Sequence, residues 1–128
     1  MILNPDELKP IYIQISEWIE GEILNGAFGI DDKVYSQYTL ADMFNINPAT
    51  AAKGLTKLAE EKILYDKRGL GKFVTNEAKA IIVHKRKNQN LKSMMENIVR
   101  EAERLGINEE ELIALLRTVK AGSKEDEQ

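Results

Sequence analysis

Between Lys53 and Lys72 the chain carries Lys53, Lys57, Lys62, Lys67, Arg68 and Lys72, against only Glu60, Glu61 and Asp66. Ammonium and guanidinium groups gathered in this way suit the phosphate oxygens of a nucleic acid. Taken alone, such lysines are also ordinary surface residues. The whole chain has a formal net charge of -3, which argues against a protein that coats nucleic acid indiscriminately and leaves room for a local basic face. The acidic excess lies elsewhere, in the first helical stretch and at Glu109, Glu110 and Glu111.

Other chemistries lack material. Without cysteine there is no disulfide and no thiolate metal site. His84 is the only histidine, so a histidine-rich metal site or a Ser-His-Asp triad has nothing to draw on, and His84 reads as a solvated linker residue. Gly69 and Gly71 are not followed by Lys-Ser or Lys-Thr and a helix, so they read as turn glycines and not as a phosphate loop. Glu109 to Glu111 resemble a carboxylate cluster, but negative charge at a helix N-terminus is favoured by the dipole. The expectation is a protein that is not an enzyme and needs no metal or cofactor. At 43% hydrophobic and 30% charged residues over 128 positions, the chain has the composition of a folded protein with one domain and a short appendage. Asn4, Pro5, Asp6 and Glu7 stand where a signal peptide would be basic and then apolar, and no apolar run approaches the ~20 residues of a membrane span. A cytoplasmic protein with no membrane partner is expected.

The basic residues need elements to hold them. From Pro10 to about Leu24, Tyr12, Ile15, Ile19 and Ile23 recur at helical spacing, with Glu17, Glu20 and Glu22 between them. Ser36 is a good N-cap for a short helix burying Leu40, Ala41 and Phe44. Asn47 and Pro48 then supply an N-cap and a first helical residue for a helix to about Lys62, with Ala51, Leu55, Leu58 and Ala59 inward and Ala49, Thr50, Lys53 and Lys57 outward. Ile63–Asp66 and Lys72–Thr75 are β-prone segments around a glycine-relaxed tip, which predicts a hairpin. Composition changes at Asn76-Glu77. A long helix, kinked across the polar run Lys85 to Asn90, is expected from Ala78 to about Leu105. Gly106 then serves as C′ residue, and a last helix headed by Asn108 and Glu111 carries Leu112, Leu115, Leu116 and Val119.

The expected fold is mainly α with a small β-hairpin: an N-terminal winged helix-turn-helix over 1–76, a C-terminal two-helix dimerisation module over 77–121, and a disordered tail over 122–128. An α-helix fits the major groove of B-DNA, and a hairpin beside it reaches backbone or minor groove. The candidate DNA-binding residues are Ser36, Gln37, Tyr38, Asn47, Ala49, Thr50, Lys53, Lys57, Arg68, Gly69 and Lys72. Thr50 and Lys53 are placed for base edges. Lys57 suits phosphate, Arg68 and Lys72 suit phosphate or minor groove, and Ser36 marks a helix N-terminus that can offer amides to a phosphate oxygen. Met94, Met95, Ile98, Leu112, Leu115, Leu116 and Val119 form a stripe too apolar for a two-helix appendage to hide, so a second copy is the expected cover.

Pro10-Ile11-Tyr12, Tyr35-Ser36 followed by Leu40-Ala41, Asn47-Pro48-Ala49-Thr50, and Gly69-Leu70-Gly71-Lys72-Phe73-Val74 resemble the GntR family of bacterial regulators. The short two-helix tail is similar to its YtrA-like subfamily. The motifs span Leu8 to Thr75. The resemblance implies a homodimer on a palindromic double-stranded operator, repression that often concerns ABC-transporter operons, and response to a small-molecule effector or envelope stress. Tyr38, Pro48, Ala52 and Leu70 stand where the family pattern has arginines. A protein-interaction adaptor that kept the winged fold and lost specific DNA binding is the alternative these replacements and the acidic net charge suggest.

Overall fold

The computed structural model describes residue 3 and residues 8–126, in two compact units, Met1–Lys85 and Arg86–Gln128. In the first unit α1 (Ile11–Leu24) starts behind Pro10, whose carbonyl accepts the amides of Ile13 and Gln14. Its Ile15, Ile19 and Ile23 are buried, as their spacing requires. Gln14, Ser16 and Glu20 are buried as well, so the side of α1 that carries its acidic residues is not all solvent-facing. The helix α2 (Gln37–Phe44) begins where the Ser36 hydroxyl accepts the Thr39 amide at 3.2 Å. It ends at Asn45, in the left-handed region at φ 55°. Asparagine tolerates that region better than most residues.

Three residues later α3 (Pro48–Glu60) starts, with Asn47 Oδ1 accepting the Ala49 amide at 2.7 Å and Pro48 in the first turn. α3 buries Ala51, Gly54, Leu55 and Leu58. At Gly54 it comes so near α1 that a Cβ would lie 2.9 Å from the Tyr12 carbonyl oxygen. The chain leaves α3 through Lys62 at φ 64°, and the Ile63 amide closes the end on the Leu58 carbonyl at 3.0 Å.

The hairpin pairs β1 (Leu64–Lys67) with β2 (Gly71–Val74) antiparallel, Leu64 opposite Val74 and Lys67 opposite Gly71. The segment before α2 lies on the other edge of β2. Asp31 N–H donates to Val74 O, Val74 N–H to Asp32 O and Val34 N–H to Lys72 O, at 2.8 to 3.0 Å. The wing therefore rests on a third extended segment, read from the sequence only as a loop. Leu40, Leu58, Ile63, Leu64 and Val74 meet Ile15 and Ile19 in one core, each buried side chain worth about 1.5–3 kcal/mol relative to exposure. Trp18 packs edge-on to Phe44, with centroids 5.1 Å apart, and stacks on Tyr35. The fourth helix, α4 (Ala78–Lys85), buries Ala78 and Ile82 in the same core. The winged unit thus runs on past the composition change at Asn76-Glu77.

In the second unit a π-helical stretch, Arg86–Leu91, precedes α5 (Lys92–Leu105) and α6 (Glu109–Asp126). The helical run expected from Ala78 to Leu105 changes register at this polar stretch, where the kink is expected: the turns become π-helical over residues of which none is buried. Gly106 caps α5 at φ 69°, and Asn108 Oδ1 accepts the Glu111 amide at 2.9 Å. Helix α6 continues through Gly122 to Asp126. Of the tail expected from Gly122, residues 127–128 lie outside the described residues.

Candidate nucleic-acid interface

The outward side of α3 is set by what its inward side buries. With Ala51, Leu55 and Leu58 in the core, Ala49, Lys53, Thr56 and Glu60 are exposed at helical spacing. Thr50 is half-buried beside them. Thr56 is an addition to the residues expected from sequence, and its position three residues beyond Lys53 was the available signal. Asn47 is exposed at the head of α3, with its side-chain oxygen engaged in the cap.

Ser36, Gln37 and Tyr38 head α2. The Ser36 hydroxyl is committed to Thr39, whose amide it accepts and to whose Oγ1 it donates at 3.1 Å. Tyr38 is 67% exposed. At the wing, Arg68, Gly69 and Leu70 are exposed, and Gly69 and Gly71 have φ of 79° and 119°, values at which a side chain would be strained. Lys33, absent from the candidates, joins this surface: its bridge to Phe73 lays its stem across the hairpin, and a Cβ on Gly71 would meet Lys33 Cε at 2.9 Å.

Several of the cations have partners. Lys53 Nζ sits 4.2 Å from the centre of the Tyr12 ring, a contact worth about 0.5–1 kcal/mol at an exposed site. Lys57 Nζ pairs with Glu61 Oε1 at 2.7 Å, and Lys72 Nζ with Asp66 Oδ1 at 2.6 Å. Lys67 Nζ lies over the Phe73 ring at 4.4 Å. Tyr65 donates its hydroxyl to Asp31 Oδ1 at 2.7 Å, and that bond to a carboxylate holds the phenol above its ordinary range.

Behind α3, Lys85 bonds Glu20 of α1 and, at 2.9 Å, Glu61 Oε2. Glu20 is 1% exposed, and an uncompensated charge at that depth would be costly. Burial works against the charge of Lys85, but its hydrogen bonds to Glu20 and Glu61 and the attraction of the two carboxylates outweigh this and hold its pKa above the ordinary lysine value. For Glu61 burial likewise opposes ionisation, and the hydrogen bonds from Lys57 and Lys85 prevail, holding it below the ordinary carboxylate value.

The stripe expected on the last two helices is exposed at Met94, Met95, Ile98, Leu115, Leu116 and Val119, with Met94 and Leu116 at 60%. Leu112 is half-buried. Together α5 and α6 frame a groove of about 650 Å³, walled by Met95, Ile98, Leu112, Leu115, Leu116 and Val119 among others. Among the described residues no cluster of His, Cys, Asp and Glu could hold a metal ion, and no helix is long and apolar enough to cross a membrane.

None of the known protein-family profiles matches the chain. Individual relatives do. It is 28% identical to the HTH-type transcriptional repressor YtrA of Bacillus subtilis over 128 residues, covering 97% of this chain and 98% of YtrA. It is 32% identical over 73 residues to YisV of the same organism, an uncharacterised HTH-type transcriptional regulator, but there it spans 57% of this chain and only 15% of the relative. The winged unit is also similar to the AraR DNA-binding domain solved with operator ORX1, at 28% identity and TM-score 0.54 over 59% of this chain and 95% of that one. A solved GntR family transcriptional regulator from Listeria monocytogenes is 35% identical with TM-score 0.70, over 88% of this chain and 97% of that one. With that identity sustained over nearly the whole of a solved member, on a winged helix-turn-helix followed by two helices, the chain belongs to the GntR family of transcriptional regulators.

Proposed function

We propose that the chain is a homodimeric repressor that reads a palindromic operator with α3 in the major groove and the 68–72 tip beside it. The observation that carries this reading is the exposed face of α3, with Ala49, Lys53 and Thr56 aligned and Thr50 alongside, next to a hairpin whose tip presents Arg68. Thr50, Lys53 and Thr56 take the base edges, Ser36, Gln37, Tyr38, Asn47 and Ala49 the approach of the helix heads, and Lys57, Arg68, Gly69 and Lys72 the backbone or minor groove. The name of YtrA as a repressor supports repression. The exposed apolar groove between α5 and α6 supports a second copy as its cover, because a patch of this kind on a small helical unit is an association surface. The same groove is where a small-molecule effector would find apolar walls. Control of a transporter operon is the reading the family resemblance adds.

Fluorescence anisotropy against duplexes tiled from the DNA upstream of the protein's own gene tests the proposal. The expected result is a saturable complex with one duplex that weakens steeply with salt and outlasts scrambled DNA. Equal, weak binding to every duplex at moderate salt would sink it. A stable complex with another protein and no DNA binding even at low salt would support the adaptor instead.

A further inference from the structure

We infer that Glu61 is a positioning residue that competes with DNA phosphate for Lys57, and that Lys85 sets the strength of that competition. The inference rests on the reading of α3 as the groove-facing helix and deepens it.

The two carboxylate oxygens of Glu61 serve different lysines, Oε1 holding Lys57 at 2.7 Å and Oε2 holding Lys85 at 2.9 Å. A carboxylate oxygen and a phosphate oxygen are the same kind of acceptor for an ammonium group. Lys57 keeps 29% of its side chain exposed while paired. Exchange of Glu61 for a phosphate is then a local side-chain movement. Its cost depends on what remains for Glu61, which keeps 26% exposure and would otherwise be left with a half-buried charge. Lys85 is the partner that stays.

Lys85 is in turn held by Glu20, which is buried and has reason to retain a cation. With Lys85 withdrawn, Lys57 is the one cation of this pair left to Glu61, and the carboxylate would give it up to a phosphate at greater cost. Lys85 therefore permits the Lys57–phosphate contact without touching DNA. It is also the last residue of α4, directly before the π-helical stretch Arg86–Leu91. Any change that unwinds the end of α4 would move its ammonium away from Glu61 and tighten the hold of Glu61 on Lys57.

The test is the slope of log K against log salt for the full chain on the selected upstream duplex. Glu61→Gln, which keeps the shape and removes the charge, should steepen the slope by a part of about 0.9, the value of one full phosphate contact, because Lys57 in the unsubstituted protein is shared between Glu61 and phosphate. Its affinity advantage over the unsubstituted protein should then grow by up to about threefold as salt falls from roughly 200 to 50 mM. In the Lys57→Gln background the same substitution should leave the slope unchanged. The pair Glu20→Gln with Lys85→Gln, which keeps a neutral hydrogen bond in place of the buried charge pair, should make the slope shallower, towards that of Lys57→Gln alone. An unchanged slope for Glu61→Gln, or a steepening that persists without Lys57, overturns the inference. A normal slope in a folded Glu20→Gln/Lys85→Gln protein overturns the role of Lys85, and if that pair fails to fold, the Glu61 and Lys57 comparison decides alone. Loss of selective binding in the unsubstituted protein would instead remove the repressor reading, and the inference with it.

Discussion

Replacing Gly54 with alanine would drive a methyl group into the seam between α1 and α3. The new Cβ would stand 2.9 Å from the Tyr12 carbonyl oxygen and 3.2 Å from Ile15 Cγ2. Both neighbours are fixed, one a backbone atom of a helix and the other a fully buried side chain, so relief requires the helices to part. Overpacking of this kind costs about 1–3 kcal/mol. Alanine returns ~1 kcal/mol of helix propensity relative to glycine, leaving a net loss of ~0–2 kcal/mol. Gly21 in α1 is the matched control, because nothing lies within 4 Å of a Cβ built there. Gly21→Ala should stabilise by about 0.5–1 kcal/mol. The two substitutions are chemically identical and should differ in urea midpoint by the equivalent of ~1–3 kcal/mol. Trp18, the only tryptophan, packs on Phe44 and Tyr35 and reports the unfolding of this unit. A Gly54→Ala protein as stable as Gly21→Ala would refute the close approach of α1 and α3.

Further outcomes follow from the same geometry. Thr50→Ala should reduce discrimination between the selected duplex and its single-base variants by about 1–3 kcal/mol at one position, whereas Lys57→Ala should weaken all duplexes alike; equal losses for Thr50→Ala on cognate and scrambled DNA would remove it as a base reader. Leu116→Lys places a charge in the groove between α5 and α6 and should shift the protein from dimer to monomer by light scattering, with a monomeric parent protein as the refuting result. Stability should depend on pH at both ends. Glu61, lowered from 4.5 on folding, contributes above that value, and the contribution is lost as pH falls through its folded pKa. Lys85, raised from 10.5, contributes below that value, and the contribution is lost as pH rises through its folded pKa. Melts of Glu61→Gln should be flatter on the acid side, and an unchanged acid limb would show that the carboxylate is not stabilised as described.

Features that depend on a few neighbouring residues were legible in the sequence. Ser36, Asn47 with Pro48, Gly106 and Asn108 each mark a helix end by a bond closed within three residues, and Gly69 and Gly71 mark the hairpin tip. Apolar spacing located the cores of α1 and α3. What stayed hidden depends on residues far apart in the chain. Glu20 reads as one more acidic residue on the polar side of α1 until Lys85, 65 positions later, is brought against it. Lys33 reads as loop until β2 supplies an edge, and the Tyr12 ring beside Lys53 lies on another helix, which a helical wheel does not show; the Lys57–Glu61 pair, at i and i+4, was within reach of the spacing and went unread. The base-reading residues are a proposal for the same reason: Tyr38, Pro48, Ala52 and Leu70 depart from the family's arginines, so position alone designates Thr50, Lys53 and Thr56.

The two joints that bracket α3 have a mechanical consequence. Asn45 and Lys62 both take left-handed backbone, at φ 55° and 64°, where glycine would sit without the strain that lysine carries there, of order 1 kcal/mol. A glycine joint is a swivel, because it visits both signs of φ. Asparagine and lysine have fewer places to go, so each behaves as a stiff corner bracket, and α3 is mounted at a set pitch on the winged unit. On the proposed reading of α3 as the groove-facing helix, a helix mounted in this way resists tilting to suit a poorly matched groove. Under that proposal, changes of operator preference would come from the side chains at 49, 50, 53 and 56, or from the DNA bending to meet them, and Lys62→Gly is the substitution that would loosen the mount while leaving every one of those side chains in place.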